Sequence, residues 1–405
     1  MLYLFVFLLF FVLSFRYDYM QAERGRKFWI ITTLIILILI AGLRYRIGTD
    51  SINYASYFRD QNSLLDLRDS DFDASRFAPG YIYLTSFVKL FTEEFVVVQL
   101  IQSIFVNCVI FWFMYKYCRH FFFGMLIFLF YEYYLLLFEQ MREGIAVAFF
   151  LLAWPAFKEK KWLIWYLLSV VALFFHISAI IMFFLPLLYV PGIKQLFIFG
   201  GRTWIVAIGV LIIAIAVQAV FFRYIQMIAL TDSMAERAET YESNALSGSI
   251  LNFGGIISVI IRNILYPVLA LYFLQRNHKL AGNYSNRFIP EEGFALMSVY
   301  VSIFSIVVAI VSRYNNYFFF FAILMMSDWA FSKIKTERKS LKLRFSYWVI
   351  LFLPMFAFQF YSSYLANLNK SGTIKNYSLY YPYASYFDQT LDEKREAAFR
   401  YRRTL

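Results

Sequence analysis

Residues 95–115 read FVVVQLIQSIFVNCVIFWFMY, a run of 21 residues without a single charge. A helix needs about 20 predominantly apolar residues to cross the hydrocarbon core of a bilayer, so this run predicts a membrane-spanning helix. The rest of the chain has the same character, since 61% of its 405 residues are hydrophobic and only 16% are charged. Ordinary globular domains are about 25% charged. The composition therefore excludes a soluble enzyme, a disordered protein and a disulfide scaffold.

Further apolar runs along the chain predict an all-α, polytopic integral membrane protein with about 12 transmembrane helices. The predicted spans are 1–15, 28–43, 95–115, 121–138, 142–157, 162–176, 177–190, 204–222, 251–274, 291–311, 315–331 and 346–363. Residues 80–92 are too short and too polar to cross, and we expect a re-entrant or interfacial segment there. We expect one transmembrane domain over 1–363, with sizeable outer loops at 44–94 and 223–250, followed by a tail over 364–405.

The net charge of +12 reflects the orientation of the chain in the membrane. Of the 38 Lys and Arg residues, 20 fall in six predicted loops on one side of the membrane. These loops are 16–27, 116–120, 158–161, 191–203, 275–290 and 332–345. The positive-inside rule makes that side cytoplasmic, and a nucleic acid is not needed to explain the charge. The termini, including the Tyr-rich and basic tail, are then expected outside.

Costly polar residues cluster at the predicted outer ends of the spans. Arg44 and Arg46 follow the second span, and Gly48-Thr49-Asp50 and Tyr54 come directly after them. Two guanidinium groups can hold a phosphate in bidentate fashion, and Gly48-Thr49-Asp50 predicts a turn that brings a carboxylate beside them. The alternative is that the arginines snorkel at a helix end and that Asp50 caps the next helix.

A second polar cluster lies between two apolar runs with almost no loop. Glu139, Arg142 and Glu143 would be expensive near membrane depth unless they pair or face a wet cavity. The alternative is an ion-pair cluster that closes a helical hairpin. His176 ends the sixth span and can be either a proton carrier or a packing residue, while Arg313 and Tyr314 form another polar patch on the outer side.

These clusters predict an outer-face site for an anionic, polyhydroxylated substrate. Arginines, carboxylates and tyrosines gather on one side, and a sugar linked to a lipid through a diphosphate fits that chemistry. The two cysteines, Cys108 and Cys118, show no metal-ligand spacing, and no Gly-rich phosphate loop occurs, so we expect neither a metal nor a cofactor.

The order of these motifs resembles the EpsG/Wzy family of polysaccharide polymerases over roughly residues 40–320. The first motif is Gly42-Leu43-Arg44-Tyr45 with Gly48-Thr49-Asp50 and Tyr54. The others are Met141-Arg142-Glu143-Gly144-Ile145-Ala146, His176-Ile177-Ser178-Ala179, Arg313-Tyr314 and a closing Tyr381-Pro382-Tyr383. One position departs from the family, which usually has Gln where this chain has Glu143.

The resemblance implies a metal-independent glycosyltransferase that polymerises oligosaccharide repeat units carried on undecaprenyl diphosphate. Donor and acceptor are both lipid-linked oligosaccharides, and the product is O-antigen, capsule or exopolysaccharide. The leaving diphosphate needs cations, for which Arg44, Arg46, Arg142 and Arg313 are candidates, with Tyr54 and Tyr314 as further substrate ligands. We expect Asp50 to accept the proton of the acceptor hydroxyl, ahead of His176 and Glu143.

The resemblance also implies a location and partners. We expect a multi-pass protein of the bacterial cytoplasmic (inner) membrane whose active site faces the periplasm or exterior, in contact with the lipid bilayer and with a partner that regulates chain length. Two other functions remain open at this point. A flippase for lipid-linked oligosaccharide would show two related halves, which the sequence lacks. An O-antigen ligase or acyltransferase is disfavoured only by the order of the motifs.

Overall fold

The computed structural model describes residues 2–48, 50–73, 77–200, 202–228, 260–280, 288–332, 376–389 and 391–403. These residues form helices joined by short turns, and no strand occurs among them. One isolated antiparallel bridge joins Arg44 to Ser385. The predicted all-α fold is therefore confirmed for the described part of the chain. The predicted span 346–363, residues 229–250 of the second outer loop and residues 364–375 of the tail lie outside it.

The chain divides into two compact units, the first formed by Met1–Leu185 together with Ser363–Leu405. Its helices are α1 (Leu2–Leu13), α2 (Arg26–Gly42), α3 (Ser51–Asp60), α4 (Asp69–Asp73), α5 (Pro79–Lys89), α6 (Phe95–Tyr117), α7 (Phe121–Phe128), α8 (Met141–Lys158) and α9 (Trp162–Phe175). Wider π-helical turns extend α1 over Ser14–Tyr19 and α7 over Leu129–Tyr133 and Leu135–Glu139. Near its carboxyl end the unit has a short 3₁₀ turn, Asn376–Leu379, and the C-terminal helix, Glu393–Arg403.

The second unit, Pro186–Ser362, is helical where it is described. Its longer helices are Thr203–Ile228, Tyr266–Leu280, Pro290–Val307 and Asn315–Ser332. A π-helical turn, Ile260–Leu265, precedes the second of these, and a 3₁₀ turn, Ala309–Tyr314, precedes the last.

Three helices in the described residues are long and apolar enough to cross a membrane: Leu2–Tyr19, Phe95–Tyr117 and Pro290–Val307. A fourth candidate is the pair Ile177–Tyr189 and Pro191–Phe197, which bends by 98°. The first three correspond to predicted spans, and α6 with its 23 residues extends about 34 Å, enough for the ~30 Å core. The protein is thus a helical membrane protein. Shorter apolar stretches of 10–17 residues lie over Phe121–Tyr133, Trp162–Phe175 and Thr203–Gln218. Within the described residues, length and composition therefore support three to four spans and do not confirm twelve.

The core of the first unit is built around α6 and α8. Helix α6 packs against α2 and α8, and α8 packs against α9. Most of α8 is buried, including Trp154, which has no exposed surface. The 11 residues of α5 cover about 16 Å, too little to cross the core alone, and α5 packs on α9 through Gly80. A Cβ atom at that position would lie 2.8 Å from the carbonyl oxygen of Phe174, so only glycine allows this contact.

Candidate active site

A sharp turn between α2 and α3 carries the first motif. Arg46 has φ 50° and Gly48 has φ 91°, both in the left-handed region that favours glycine. The Ser51 hydroxyl donates to the carbonyl oxygen of Gly48 at 2.9 Å and closes the turn before α3 begins. A Cβ atom on Gly48 would lie 3.5 Å from Cγ of Glu139, so the turn runs directly past the residues that precede α8.

Arg44 is directed into the protein and is only 1% exposed. Its guanidinium donates to the carbonyl oxygens of Ala41 and, at 3.3 Å, of Phe138, and its Cζ lies 4.9 Å from the centre of the Phe138 ring. Among the described residues its Nε has no hydrogen-bond partner. Burial lowers the pKa of Arg44 to about 10, which leaves the side chain charged at neutral pH. The structure thus places a buried positive charge within the protein at the turn between α2 and α3.

Arg46 points the other way and pairs with the C-terminal helix. Its Nε and Nη2 donate to the two carboxylate oxygens of Glu396 at 3.0 and 2.7 Å, the bidentate geometry that was predicted for a phosphate. The Arg46 guanidinium also lies 5.9 Å from the ring of Phe399. In this structure the partner of Arg46 is therefore a carboxylate of the same chain.

Helix α3 brings Tyr54 to Arg142 at the start of α8. Tyr54 is 3% exposed, and Nε of Arg142 donates to its hydroxyl at 3.4 Å. Phe77 completes the contact, because its ring stacks on Tyr54 at 5.5 Å and lies 4.5 Å from Cζ of Arg142. Burial raises the pKa of the Tyr54 hydroxyl, which keeps it neutral and able to donate. The structure therefore joins residues of the first and second motifs.

Asp50 is exposed at the start of α3. Its backbone carbonyl accepts from the amide of Tyr54 at 3.0 Å, but its side chain makes no capping hydrogen bond. The carboxylate accepts from the Asn53 amide at 3.5 Å, and within the described residues no salt bridge links it to Arg44 or Arg46. Asp50 precedes Tyr54 by four residues and its carbonyl oxygen accepts from the Tyr54 amide, so both residues lie on the side of α3 where Tyr54 contacts Arg142.

Glu143 and His176 meet through a residue that the sequence did not single out as catalytic, Ser178. The His176 Nδ1 lies 2.6 Å from the Ser178 Oγ, and the same hydroxyl lies 3.4 Å from Oε1 of Glu143. The extended backbone at His176 ends α9 and starts the 3₁₀ turn Ile177–Ile180, which places Ser178 against α8. All three side chains are buried. A proton could pass between carboxylate and imidazole along this chain of hydrogen bonds.

Two buried polar residues near this arrangement were missed by the sequence analysis. The hydroxyl of Tyr81 and both amide atoms of Gln102 have no hydrogen-bond partner among the described residues, and each side chain is at most 1% exposed. A Cβ atom on Gly144 would lie 3.7 Å from Nε2 of Gln102, so the amide lies beside the start of α8. A glutamine inside an apolar span is itself a costly polar residue, and that signal could have identified Gln102.

The last predicted residues take different places in the fold. Glu139 accepts a hydrogen bond from the Tyr380 hydroxyl, so the end of the chain takes part in the site. Arg313 and Tyr314 belong to the second unit, in the 3₁₀ turn Ala309–Tyr314, and are described with that unit alone. Thr49 lies outside the described residues. Within the described residues, no three His, Cys, Asp or Glu side chains are grouped as metal ligands would be.

The first unit therefore combines cations, neutral hydroxyl donors and carboxylates around α3 and the start of α8. Such an arrangement suits an anion that leaves from a polyhydroxylated substrate, since it offers charge stabilisation beside possible proton acceptors.

No curated protein and no solved structure matches the chain. The model of the EpsG family matches residues 27–385, which include α2, the turn, α3, α8 and Ser385 of the bridge to Arg44. That range covers most of the chain. The protein therefore belongs to the EpsG family.

Proposed function

We propose that this protein is a membrane glycosyltransferase that polymerises undecaprenyl-diphosphate-linked oligosaccharide repeat units into a surface polysaccharide. The family supports a role in polysaccharide biosynthesis. The apolar helices support a site within reach of a lipid-linked substrate.

The observation that carries the proposal is the environment of Arg142. It is the second residue of α8, an 18-residue helix, so the guanidinium adds to the positive end of a helix dipole. Tyr54 and Phe77 hold it from one side and Arg44 contributes a second, buried charge in the same unit. A diphosphate is the part of the proposed substrate that needs this combination.

In the proposed reaction, a hydroxyl of the acceptor sugar attacks the anomeric carbon of the donor glycan. A new glycosidic C–O bond forms while the bond from that carbon to the diphosphate oxygen breaks, and the lipid diphosphate leaves with the bonding electrons. Arg142 stabilises the charge on the leaving group, and the buried Arg44 adds a second positive charge in the same unit. Asp50 accepts the hydroxyl proton, because it is exposed and precedes Tyr54, the partner of Arg142, by one turn of α3. The chain Glu143–Ser178–His176 is the second candidate for that proton.

The proposal includes the finer topology. Twelve spans with residues 80–92 not crossing would put α3, Arg142 and the tail on the outer face of the inner membrane, as the distribution of basic residues predicts. Arg46, Arg313 and Tyr314 are proposed as further substrate ligands, and a chain-length regulator is the proposed protein partner.

The test is polymerisation in vitro with purified protein in nanodiscs and a synthetic undecaprenyl-diphosphate repeat unit. We expect Arg142→Lys to lose most of its activity, because a point charge does not replace the bidentate guanidinium. Arg24→Lys is the matched control, an exposed arginine in a predicted cytoplasmic loop that should retain wild-type activity. Polymer of normal length from Arg142→Lys would contradict the assignment. In liposomes, transfer of the unit across the membrane without lengthening would indicate a flippase. In either membrane system, transfer to an added lipid acceptor without lengthening would indicate a ligase.

A further inference from the structure

A pocket of about 330 Å³ lies on the other side of α3 from Arg142. Helix α3 contributes Ile52, Ala55, Ser56 and Arg59 to its wall, whereas Tyr54 and Tyr57 on the opposite face contact Phe77. Ligand pockets commonly measure about 300–1,000 Å³, so this one has room for a small ligand or for the end of a larger one. The same helix therefore separates two sites of different character.

The remaining walls come from the start of α6 and from the carboxyl end of the chain. Glu93 and Glu94 precede α6, Gln99 lies in its second turn, and Tyr386 and Gln389 follow the bridge at Ser385. Tyr386 is held by its backbone amide, which donates to the carbonyl oxygen of Leu43 at 2.8 Å. The C-terminal segment, packed on the turn before α3, therefore forms one wall of the pocket.

The arginines around the pocket already have partners within the chain, although Nε of Arg44 has none among the described residues. Arg44, which also lines the pocket, is only 1% exposed and donates to the carbonyl oxygens of Ala41 and Phe138. Arg46 is bound by Glu396 at 2.7 Å, Arg59 contacts Asp60 at 3.3 Å, and the ammonium group of Lys89 contacts Glu93 at 3.5 Å. A bound diphosphate would have to displace a carboxylate and would face Glu93 and Glu94. The pocket is therefore poorly suited to an anion, in contrast to the Arg142 side of α3.

The groups that remain available are those that recognise sugars. Tyr386 offers an aromatic ring on which the apolar face of a pyranose can stack, and Glu94 lies close to its hydroxyl. The amides of Gln99 and Gln389 each provide a donor and an acceptor, and Ser56 adds a hydroxyl. Together they match the alternating donors and acceptors of a neutral saccharide.

We propose that this pocket binds neutral sugar residues of the glycan, while the Arg142 side of α3 binds the diphosphate. The inference rests on the proposed function, because it assumes that a lipid-linked glycan is the substrate. If sugar and diphosphate bind on opposite sides of α3, the carboxylate of Asp50 at the start of this helix lies on the side that binds the diphosphate.

The probe is a mixture of labelled oligosaccharides obtained by partial hydrolysis of the polysaccharide that the producing cells make. Binding to the full-length protein in nanodiscs is measured by fluorescence anisotropy, in the absence of lipid diphosphate. We expect saturable binding that weakens about tenfold or more in Tyr386→Ala, which removes the stacking surface, and in Ala55→Trp, which fills the pocket. The matched control is Phe91→Ala, which removes an aromatic ring that is 75% exposed and does not line the pocket, and it should bind as the wild type does.

Two results would overturn the proposal: no saturable binding to the wild type, or equal binding by the wild type, Tyr386→Ala and Ala55→Trp. The polymerisation assay separates this failure from failure of the proposed function. Normal polymerisation without effect of either pocket variant refutes the pocket alone. Oligosaccharide binding that Tyr386→Ala abolishes, in a protein that does not polymerise, refutes the polymerase and leaves a saccharide site.

Discussion

Replacing Asp50 by Asn tests whether this carboxylate accepts a proton or only begins a helix. The change keeps the size of the side chain and removes its charge and basicity. Its side chain makes no capping hydrogen bond in the structure, and Asn caps as well as Asp, so we expect stability to change by less than about 0.5 kcal/mol. Within the described residues the carboxylate of Asp50 accepts a hydrogen bond from Asn53 and is otherwise exposed, so the substitution removes little that stabilises the fold.

The expected effect on rate is much larger than the effect on stability. Loss of a general base typically lowers a rate by about 10²–10⁴-fold, which corresponds to about 3–5 kcal/mol of transition-state stabilisation. Because Asp50 has no salt bridge to Arg44 or Arg46 within the described residues, little of that loss can be assigned to a displaced arginine. The two magnitudes are far enough apart for a single variant to distinguish the roles.

The assay is turnover of the synthetic repeat unit, with membrane insertion and thermal stability measured on the same samples. Ser178→Ala is the companion variant, because it removes the hydroxyl between His176 and Glu143 and leaves Asp50 untouched. If Asp50 is the base, Ser178→Ala should lose no more than the roughly tenfold that one hydrogen bond explains.

Turnover of Asp50→Asn within a few-fold of the wild type refutes the reasoning. If Ser178→Ala then loses 10²-fold or more, the proton goes to His176 through Ser178.

Three further outcomes follow from the described contacts. Arg46→Glu and Glu396→Arg should each expose the C-terminal helix to protease, and the double variant should restore protection, because this partly buried ion pair contributes about 1 kcal/mol. A double variant that is still cleaved would show that the pair does not hold the helix. In a cysteine-free background, Leu65→Cys should react with a membrane-impermeant thiol reagent on intact cells and Lys161→Cys only in opened cells, because the two loops are predicted on opposite sides of the membrane. Labelling of both cysteines on intact cells would contradict the predicted orientation. Gly80→Ala should destabilise the protein by about 1–3 kcal/mol, because its Cβ atom would meet a carbonyl oxygen of α9 at 2.8 Å, and an unchanged melting temperature would argue against that packing.

Costly polar residues made much of the site predictable from sequence. Arg142, Glu143 and His176 stood out because charges at the ends of apolar runs need partners, and the structure joins Glu143 to His176 through Ser178. The contact of Arg142 with Tyr54 links two motifs that are 88 residues apart. The order of the motifs along the chain predicts a common site, but only the folded structure shows that Arg142 and Tyr54 are in contact.

Other features have no local signature in the sequence. The bond between Tyr380 and Glu139 and the bridge between Arg44 and Ser385 join positions that are far apart, and neither apolar periodicity nor composition encodes such a pairing. For this reason the sequence predicts a separate outer tail, whereas the structure packs Tyr380 and Ser385 against the site. The turn at Gly48 was foreseen from its glycine, yet its direction, which sends Arg44 inward and Arg46 toward Glu396, depends on tertiary packing.

The limits of the family match bear on the role of Arg46. The match ends at Ser385, so it includes the residue that bridges to Arg44 and excludes the C-terminal helix that carries Glu396. The bridge thus belongs to the part of the chain that the family describes, whereas the bidentate partner of Arg46 lies beyond it. An arginine that already uses both carboxylate oxygens of Glu396 has its best donors occupied. Within the first unit, the chemistry therefore favours Arg142 over Arg46 as the diphosphate ligand, and favours Arg46 as the residue that fixes the end of the chain over the turn.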